Sequence, residues 1–272
     1  MISADKAGRF RALHQGPGAF VIPNPWDPGS ARVLAGLGFQ ALATSSGAAA
    51  GVLGRRDGQI SRDEALAHAR AIVAATDLPV SADLENGFAA DPEGVAVTIR
   101  MAAEIGLAGG SIEDSTGNPA QPLFDHGHAV ERVAAAVESA RGRSFVVTAR
   151  AENFVSDNPD IEDTIARLQA FERAGADVLF APGLPDLASV RAVCAAVSKP
   201  VNFMVGIKGR SFSVAELEAA GVRRISLSTS LYRAAMTGLM EAGREVMTQG
   251  TFGYLDRTAV TADLHTTMRP AP

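Results

Sequence analysis

Eight short apolar runs rich in β-branched residues alternate with eight longer amphipathic stretches, and this alternation predicts a (β/α)8 TIM barrel. Such a pattern requires parallel strands joined by helical crossovers. Eight units in 272 residues also match the usual size of this barrel. The competing α/β fold, an open doubly wound sheet, would carry a glycine-rich phosphate loop after its first strand. That place holds Asn24-Pro25-Trp26-Asp27-Pro28 instead, which favours the barrel.

The predicted elements follow one another in order along the chain. The strands are expected at Ala19–Pro23, Ala41–Thr44, Val80–Ala82, Gly110–Ile112, Phe145–Ala149, Val178–Phe180, Val201–Met204 and Ile225–Leu227. The helices are expected at Gly29–Leu37, Arg62–Ala75, Pro92–Ile105, Val130–Ala140, Ile161–Ala174, Leu187–Val197, Val214–Ala220 and Leu231–Thr248. Ser61 and Asp91 are typical helix starts, and Gly38 and Gly106 are typical helix ends.

Residues outside this repeat extend the barrel at both ends. We expect residues 3–15 to form an additional helix before the barrel and 251–272 to form a C-terminal helical tail. The chain contains no linker or low-complexity segment, so residues 1–272 are predicted to make a single domain.

The composition argues against several functional classes. Thirty acidic and 25 basic side chains give a net charge of -5, which disfavours nucleic acid as a partner. The single cysteine, Cys194, excludes a disulfide framework, and its place on an apolar helix pattern predicts an inert core residue. No apolar run reaches about 18 residues and no signal-peptide pattern is present. We therefore expect a cytoplasmic protein without a membrane partner.

Polar residues cluster where the predicted strands end, which is where barrel enzymes build their active sites. The positions are Trp26, Asp27, Thr44, Ser45, Ser46, Gly47, Asp57, Asp83, Glu85, Glu113, Asp114, Arg150, Glu152, Asn202, Ser228 and Thr229. Four acids follow two adjacent strands and would repel one another unless a cation lay among them. Oxygen ligands with no His or Cys nearby favour a hard ion, Mg²⁺, that retains some waters.

Two further features predict an anionic ligand. Arg150, across the barrel from the acids, is placed to bind a carboxylate through two hydrogen bonds. The successive backbone N–H groups of Ser45, Ser46 and Gly47 can cradle a second anionic group.

Other polar residues have structural interpretations. Asp114, Glu152 and Ser228 are expected to cap helices or to support the site from behind. Trp26 either closes the barrel mouth or forms a wall of the substrate site. His126 and His128 lie at a loop-to-helix junction and are expected to be solvated loop residues.

Six motifs occur in order over nearly the whole chain. They are Asn24-Pro25-Trp26-Asp27, Thr44-Ser45-Ser46-Gly47, Asp57, Asp83-Leu84-Glu85-Asn86-Gly87, Ser111-Ile112-Glu113-Asp114 and Thr148-Ala149-Arg150. Together they resemble the motifs of the isocitrate lyase/phosphoenolpyruvate mutase superfamily. The resemblance implies a (β/α)8 barrel that uses Mg²⁺, or alternatively Mn²⁺, to cleave or form a C–C or C–P bond next to a carboxylate. It also implies an enolate or related oxyanion as the intermediate.

The resemblance implies a role for each motif residue. Asp83 would be the direct metal ligand, with Glu85 and Glu113 holding its waters; typical members have Asp where this chain has Glu85. Asp57 would join the network of substrate and metal-bound water. The candidate sites are therefore Asp57, Glu113 and Arg150 as catalytic residues, Trp26, Ser45, Ser46, Gly47, Arg150 and Asn202 for substrate, and Asp83, Glu85 and Glu113 for metal. The resemblance further implies a homo-oligomer, a dimer or tetramer, in which a helix near the C-terminus is exchanged between barrels.

The chain also departs from the superfamily. Its lyases carry a Lys-Lys/Arg-Cys-Gly-His motif after the fourth strand, whereas residues 115–125 here contain neither Cys nor Lys. Gly117, Pro119 and Pro122 in this loop favour turns. Where lyases tend to have Pro-Glu-Gly after the sixth strand, the chain has Ala181-Pro182-Gly183. The mutase branch uses a Lys-containing gating loop, but no Lys occurs between Lys6 and Lys199. Neither authentic isocitrate or methylisocitrate lyase nor the mutase is therefore favoured.

The resemblance, limited by these departures, implies a Mg²⁺-dependent lyase that cleaves a C–C bond next to the carboxylate of a small 2-oxo or 2-hydroxy acid, with oxaloacetate-like substrates favoured. One alternative is C–P chemistry of the mutase or phosphonopyruvate hydrolase type. A second is a barrel that binds a small diacid without turning it over. A Schiff-base aldolase would need a Lys at a strand end, for which Lys208 is the candidate.

Overall fold

Eight parallel strands form a nearly closed barrel in the computed structural model, which describes residues 2–156 and 158–268. The strands are β1 (Phe20–Ile22), β2 (Leu42–Ala43), β3 (Val80–Asp83), β4 (Gly109–Glu113), β5 (Val146–Arg150), β6 (Val178–Phe180), β7 (Val201–Met204) and β8 (Arg224–Ser226). They pair in the order β1-β8-β7-β6-β5-β4-β3-β2. Between β1 and β2, the N–H of Ala43 donates to the carbonyl of Pro23 at 3.0 Å. The predicted (β/α)8 TIM barrel is confirmed.

Helices surround the barrel in the predicted sequence order. They are α1 (Ile2–Gln15), α2 (Pro28–Gly36), α3 (Ser46–Val52), α4 (Arg62–Ala75), α5 (Pro92–Glu104), α6 (His126–Ala140), α7 (Ile161–Arg173), α8 (Leu187–Ala196), α9 (Val214–Ala219), α10 (Ser230–Gln249) and α11 (Thr261–Thr267), with short 3₁₀ helices at Asn153–Val155 and Gly253–Arg257. The expected starts are real, because the Ser61 side chain accepts a bond from the Glu64 N–H and Asp91 accepts one from Gly94. The leading helix and a helical C-terminal segment are also present.

One local prediction is wrong, and one helix was missed. Helix α6 begins at His126 rather than at Val130, so His126 and His128 lie in a helical first turn and not in a loop. Gly127 interrupts the apolar periodicity there, which hid the start. Helix α3 was not predicted, because a segment with two glycines has low helix propensity. Packing explains the glycine at 51, since a Cβ there would lie 2.7 Å from the hydroxyl oxygen of Tyr232.

Helix α1 closes the barrel at the N-terminal ends of the strands. Phe10 is fully buried and makes edge-to-face contacts with His14 and Phe20 at 4.7 and 6.4 Å between ring centroids. Burial and, to a lesser extent, the nearby positive charge of Arg224 lower the pKa of His14 to about 3, so His14 is neutral. The barrel is thus sealed below and open at the strands' C-terminal ends.

The C-terminal segment differs from the other outer elements in its exposure. Helix α5 buries five of its residues, whereas α10 buries none. Helix α11 returns to α2, where a Cβ on Gly36 would lie 2.7 Å from the carbonyl oxygen of Thr267. Among the described residues, no helix is both long enough and apolar enough to cross a bilayer.

Candidate active site

A cavity of about 160 Å³ opens at the C-terminal ends of the strands. Its lining residues include six of the predicted site residues: Ser45, Ser46, Asp57, Asp83, Arg150 and Asn202. Glu85 and Glu113 stand next to this group, since the N–H of Glu113 donates to the Glu85 carbonyl at 3.0 Å. Gly47 is close as well, because a Cβ there would lie 3.1 Å from Oδ2 of Asp57. Parallel strand ends therefore bring most of the predicted set together.

Asp83 is held in place from two sides. Its Oδ2 accepts hydrogen bonds from the N–H and the hydroxyl of Ser46 at 3.2 and 3.1 Å. Its Oδ1 accepts one from the Glu85 N–H at 3.2 Å. The Ser46 amide, which the sequence analysis assigned to a substrate anion, thus donates to Asp83 in this structure. The carboxylate at the end of β3 is therefore fixed by Ser46 at the start of α3 and by the backbone of Glu85.

Glu85 carries the least satisfied carboxyl of the cluster. Its backbone φ of 48° lies in the left-handed region, and its Oε1 is buried without a hydrogen-bond partner. Burial, followed by the negative charges of Asp83 and Asp57, raises the pKa of Glu85 to about 7. The pKa of Glu113 is also raised by burial, against the opposing effect of Arg150. A buried acceptor without a donor among mutually repelling acids is what a bound cation would satisfy.

Arg150 was expected to lie across the barrel from the acids. It lies beside them. Strand β5 pairs with β4, which sets Arg150 opposite Glu113 in the ladder. Its Nη1 lies 3.2 Å from Glu113 Oε2 and 3.5 Å from Asp83 Oδ1. Its Nε and Nη2 donate to the two carboxylate oxygens of Glu152. The guanidinium is therefore engaged by three acids and supplies part of the charge neutralisation for which only a metal was expected.

Asp114 and Glu152 were predicted either to cap helices or to support the site from behind. In the structure they support it from behind. Asp114 Oδ1 accepts from the Glu152 N–H at 2.8 Å, and its Oδ2 accepts from Nη1 of Arg167 at 3.1 Å. Burial raises the pKa of both carboxyl groups, while the paired arginines oppose the shift. Ser228 does not cap the following helix, whose N-cap is Thr229.

The carboxylates fit a partly hydrated Mg²⁺. No group of three or more His, Cys, Asp or Glu side chains in the described part of the chain is close enough to enclose an ion directly. Mg²⁺ commonly binds through one or two carboxylates and keeps several waters. Asp83 can serve as the direct ligand, and the unpartnered Glu85 oxygen and Glu113 can hold those waters. Every donor is an oxygen, which suits this ion.

Several predicted residues lie away from the cavity. Trp26 is half-buried and packs edge-to-face on Tyr232 at 5.8 Å, while its carbonyl contacts Nε2 of His68. Lys208 is exposed and does not line the cavity, which disfavours a Schiff-base aldolase at this site. Cys194 lies on α8, and burial raises the pKa of its thiol to about 11, which agrees with an unreactive residue.

The loop after β4 forms a small hairpin rather than a helix, as its glycine and prolines predicted. Ser115 and Leu123 form an antiparallel bridge, and the Thr116 N–H donates to the Pro122 carbonyl at 2.9 Å. The Thr116 hydroxyl donates to the carbonyl of Gln121. His128, beyond the hairpin, bonds the Ala90 carbonyl at 2.8 Å. These polar groups are occupied within the loop and its neighbours.

Sequence reasoning missed two polar residues inside the barrel. The Arg224 Nε donates to Asn202 Oδ1 at 2.9 Å, and its Nη1 donates to the Thr148 hydroxyl at 3.2 Å. Ser226 accepts a bond from the Asn202 amide at 3.0 Å. The predicted strand began at Ile225, which left Arg224 outside it. The alternation of Arg224, Ser226 and Ser228 around apolar residues is the signal that these side chains face inward.

The family model described as phosphoenolpyruvate phosphomutase matches residues 10–247. The chain belongs to the isocitrate lyase/phosphoenolpyruvate mutase superfamily. The 2-methylisocitrate lyase of Escherichia coli (strain K12) is 32% identical over 72% of this chain and 69% of its own. The oxaloacetate decarboxylase of Paraburkholderia xenovorans (strain LB400) is 31% identical over 86% and 80% of the two chains.

Solved structures give the same result. A crystal structure from Burkholderia cenocepacia J2315, named only as a lyase or mutase, has a TM-score of 0.96 and 48% identity, covering 98% of this chain and 97% of that one. The superfamily comprises lyases and mutases, and this member is a C–C lyase enzyme.

Proposed function

We propose that this superfamily member is a Mg²⁺-dependent lyase that cleaves the C–C bond next to the carboxylate of a small 2-oxo or 2-hydroxy acid, with oxaloacetate-like substrates preferred. The observation that carries the proposal is the group of three acids at the cavity, Asp83, Glu85 and Glu113, with one buried carboxylate oxygen left unpartnered. Mg²⁺ dependence is general among members of the superfamily, and the oxygen donors here suit that ion.

The chain's own residues have distinct tasks in this reaction. Asp83, which Ser46 orients, would bind the metal, and Glu85 and Glu113 would hold its waters. The bound ion supplies electrostatic stabilisation of the oxyanion that develops on the substrate. In an oxaloacetate-like substrate the departing carboxylate leaves as CO2, and the electron pair of the broken C–C bond stays on the remaining carboxylate-bearing fragment as an enolate. The enolate carbon then takes up a proton. Asp57 is exposed at the mouth, where it can hold the water that delivers this proton.

The hairpin of residues 115–125 sets the expected substrate preference, because it brings no thiol to the cavity. Isocitrate-type substrates should be cleaved very slowly even at saturating Mg²⁺. Small 2-oxo diacids such as oxaloacetate, whose cleavage depends more on oxyanion stabilisation, should react faster. The test is a screen of oxaloacetate, isocitrate, methylisocitrate and phosphonopyruvate with and without Mg²⁺. A kcat/KM of about 10⁴ M⁻¹s⁻¹ or more on isocitrate or methylisocitrate would contradict this preference.

We further propose that the chain forms a homo-oligomer, a dimer or tetramer, through α10 and the segment after it. Leu239, Met247 and Phe252 are 64%, 85% and 60% exposed on this surface, and no residue of α10 is buried. Several large apolar side chains exposed on one helix and the segment after it commonly mark an interface. Light scattering at micromolar concentration should give at least a dimer. Leu239→Glu should shift the protein toward monomer, whereas a monomeric wild type would contradict the proposal.

A further inference from the structure

The barrel interior next to Arg150 is lined mainly by small and polar side chains, with Ile22, Phe180 and Met204 as its bulkier apolar members. The cavity reaches Ser81, Ser111, Asn202, Ser226 and Arg224 as well as the residues of the mouth. Bulky branched residues usually fill this space in barrels of this type. Here the space stays open, so the cavity extends from the acid cluster into the barrel.

Arg224 is a buried cation that donates its two hydrogen bonds to neutral groups. It is 5% exposed and bonds the Asn202 amide oxygen and the Thr148 hydroxyl. No carboxylate among the described residues forms an ion pair with it, and burial lowers its pKa to about 9. Arg150, in contrast, is surrounded by three acids. An uncompensated buried charge is costly, and an anion in the cavity would compensate it.

The position of Arg224 limits how a ligand can reach it. Helix α1 closes the barrel floor with Phe10 and His14, and the neutral His14 adds no countercharge. A ligand therefore approaches Arg224 from the mouth and passes Asp83 on its way. The cavity therefore has two levels, the level of Asp83 and Arg150 at the mouth and the level of Arg224 below it. One ligand molecule that spans both levels would fit this path.

The distance between the two levels suits a short diacid. Arg224 contacts Thr148, which lies two residues before Arg150 on β5, so the two levels are about 6.6 Å apart. In an extended four-carbon diacid, three C–C bonds of about 1.5 Å and the terminal C–O bonds place the outer oxygens roughly 6 Å apart. A two-carbon diacid is too short to reach both levels.

We propose that Arg224 binds the distal carboxylate of a four-carbon dicarboxylic acid whose reacting end lies at Asp83. This inference rests on the proposed function, and it names the group that selects a diacid over a monoacid. Asn202, through its bond to Nε of Arg224, acts as a positioning residue for the guanidinium. The remaining N–H donors of Arg224 are then available for a forked contact with the carboxylate.

The test compares three ligands by calorimetry in the presence of Mg²⁺: succinate, butyrate and oxalate. The wild type should bind succinate about 10- to 100-fold more tightly than butyrate, because the second carboxylate gains a charge-assisted contact. In Arg224→Gln this preference should fall to below about threefold, with oxalate affinity unchanged. Arg224→Lys should retain an intermediate preference. Arg223→Gln, which alters the exposed neighbour, should behave as the wild type.

Each other outcome overturns the assignment. A succinate preference that survives in Arg224→Gln, or a wild type that shows none, contradicts it. If Arg224→Gln loses affinity for succinate and for oxalate to the same extent, the substitution has a structural effect and the assignment is wrong. The same holds if Arg224→Gln unfolds and Arg224→Lys keeps the full preference for succinate over butyrate. Bromide that stabilises the wild type but not Arg224→Gln, with succinate preference unchanged, would assign Arg224 to an inorganic anion. Titrations without Mg²⁺ separate the two proposals, because oxalate binding that needs no metal contradicts the proposed function alone.

Discussion

Asp83→Ala should reduce Mg²⁺ affinity by at least about 100-fold, the largest loss expected from a single substitution at this site. Asp83 is the carboxylate that we assign as the direct ligand, and three donors orient it: the Ser46 N–H and hydroxyl and the Glu85 N–H. The fold should survive, because Arg150 keeps Glu113 and Glu152 as partners. Calorimetric titration with Mg²⁺ measures the loss, and circular dichroism checks the fold.

Two further variants sharpen this measurement. Ser46→Ala removes one donor to Asp83 but leaves the backbone N–H, so Mg²⁺ affinity should fall by about 10-fold or less. Glu93→Ala removes an exposed acid on α5 and should leave the affinity unchanged. If Asp83→Ala binds Mg²⁺ as tightly as the wild type, the metal is held elsewhere and the assignment of Asp83 is wrong.

The alternation of short apolar runs and amphipathic stretches was sufficient to predict the barrel, because each strand needs a buried run and each crossover helix needs one apolar face. The meeting of Asp83, Glu85 and Glu113 was predictable for the same reason. In a parallel sheet the carboxyl ends of β3 and β4 necessarily lie side by side.

The pairing of charges was less predictable than the placement of strands. Strand order sets Arg150 beside Glu113, but side-chain directions decided that Glu152 takes both remaining donors. Trp26 follows β1 closely, yet it turns toward Tyr232 on α10, a contact with no signal in local sequence. Arg224 was missed because a charged residue at a strand start resembles a solvated turn, and its burial depends on α1 closing the barrel floor.

Arg150→Met should destabilise the protein by about 3–5 kcal/mol, because it leaves buried acids without their counterion. The side chains of Glu113 and Glu152 are 15% and 7% exposed, and both pair with Arg150. Urea unfolding should detect the change. Arg150→Lys keeps the charge but loses the fork to Glu152, so it should be intermediate. Arg11→Met, which breaks an exposed pair with Asp177, should cost no more than about 1 kcal/mol.

The pH dependence of this variant distinguishes lost charge pairing from lost packing. Burial raises the pKa of Glu113 and Glu152, and Arg150 opposes that shift, so its removal should raise both values further. In the unfolded state these carboxyl groups lose their protons above the ordinary pKa of about 4.3. In the folded state Glu113 and Glu152 keep their protons to higher pH. The stability of Arg150→Met should therefore decrease as pH rises from about 5 to about 8. Mg²⁺ should restore part of it at the higher pH, whereas a loss of stability that is independent of both pH and Mg²⁺ would indicate that only packing was lost.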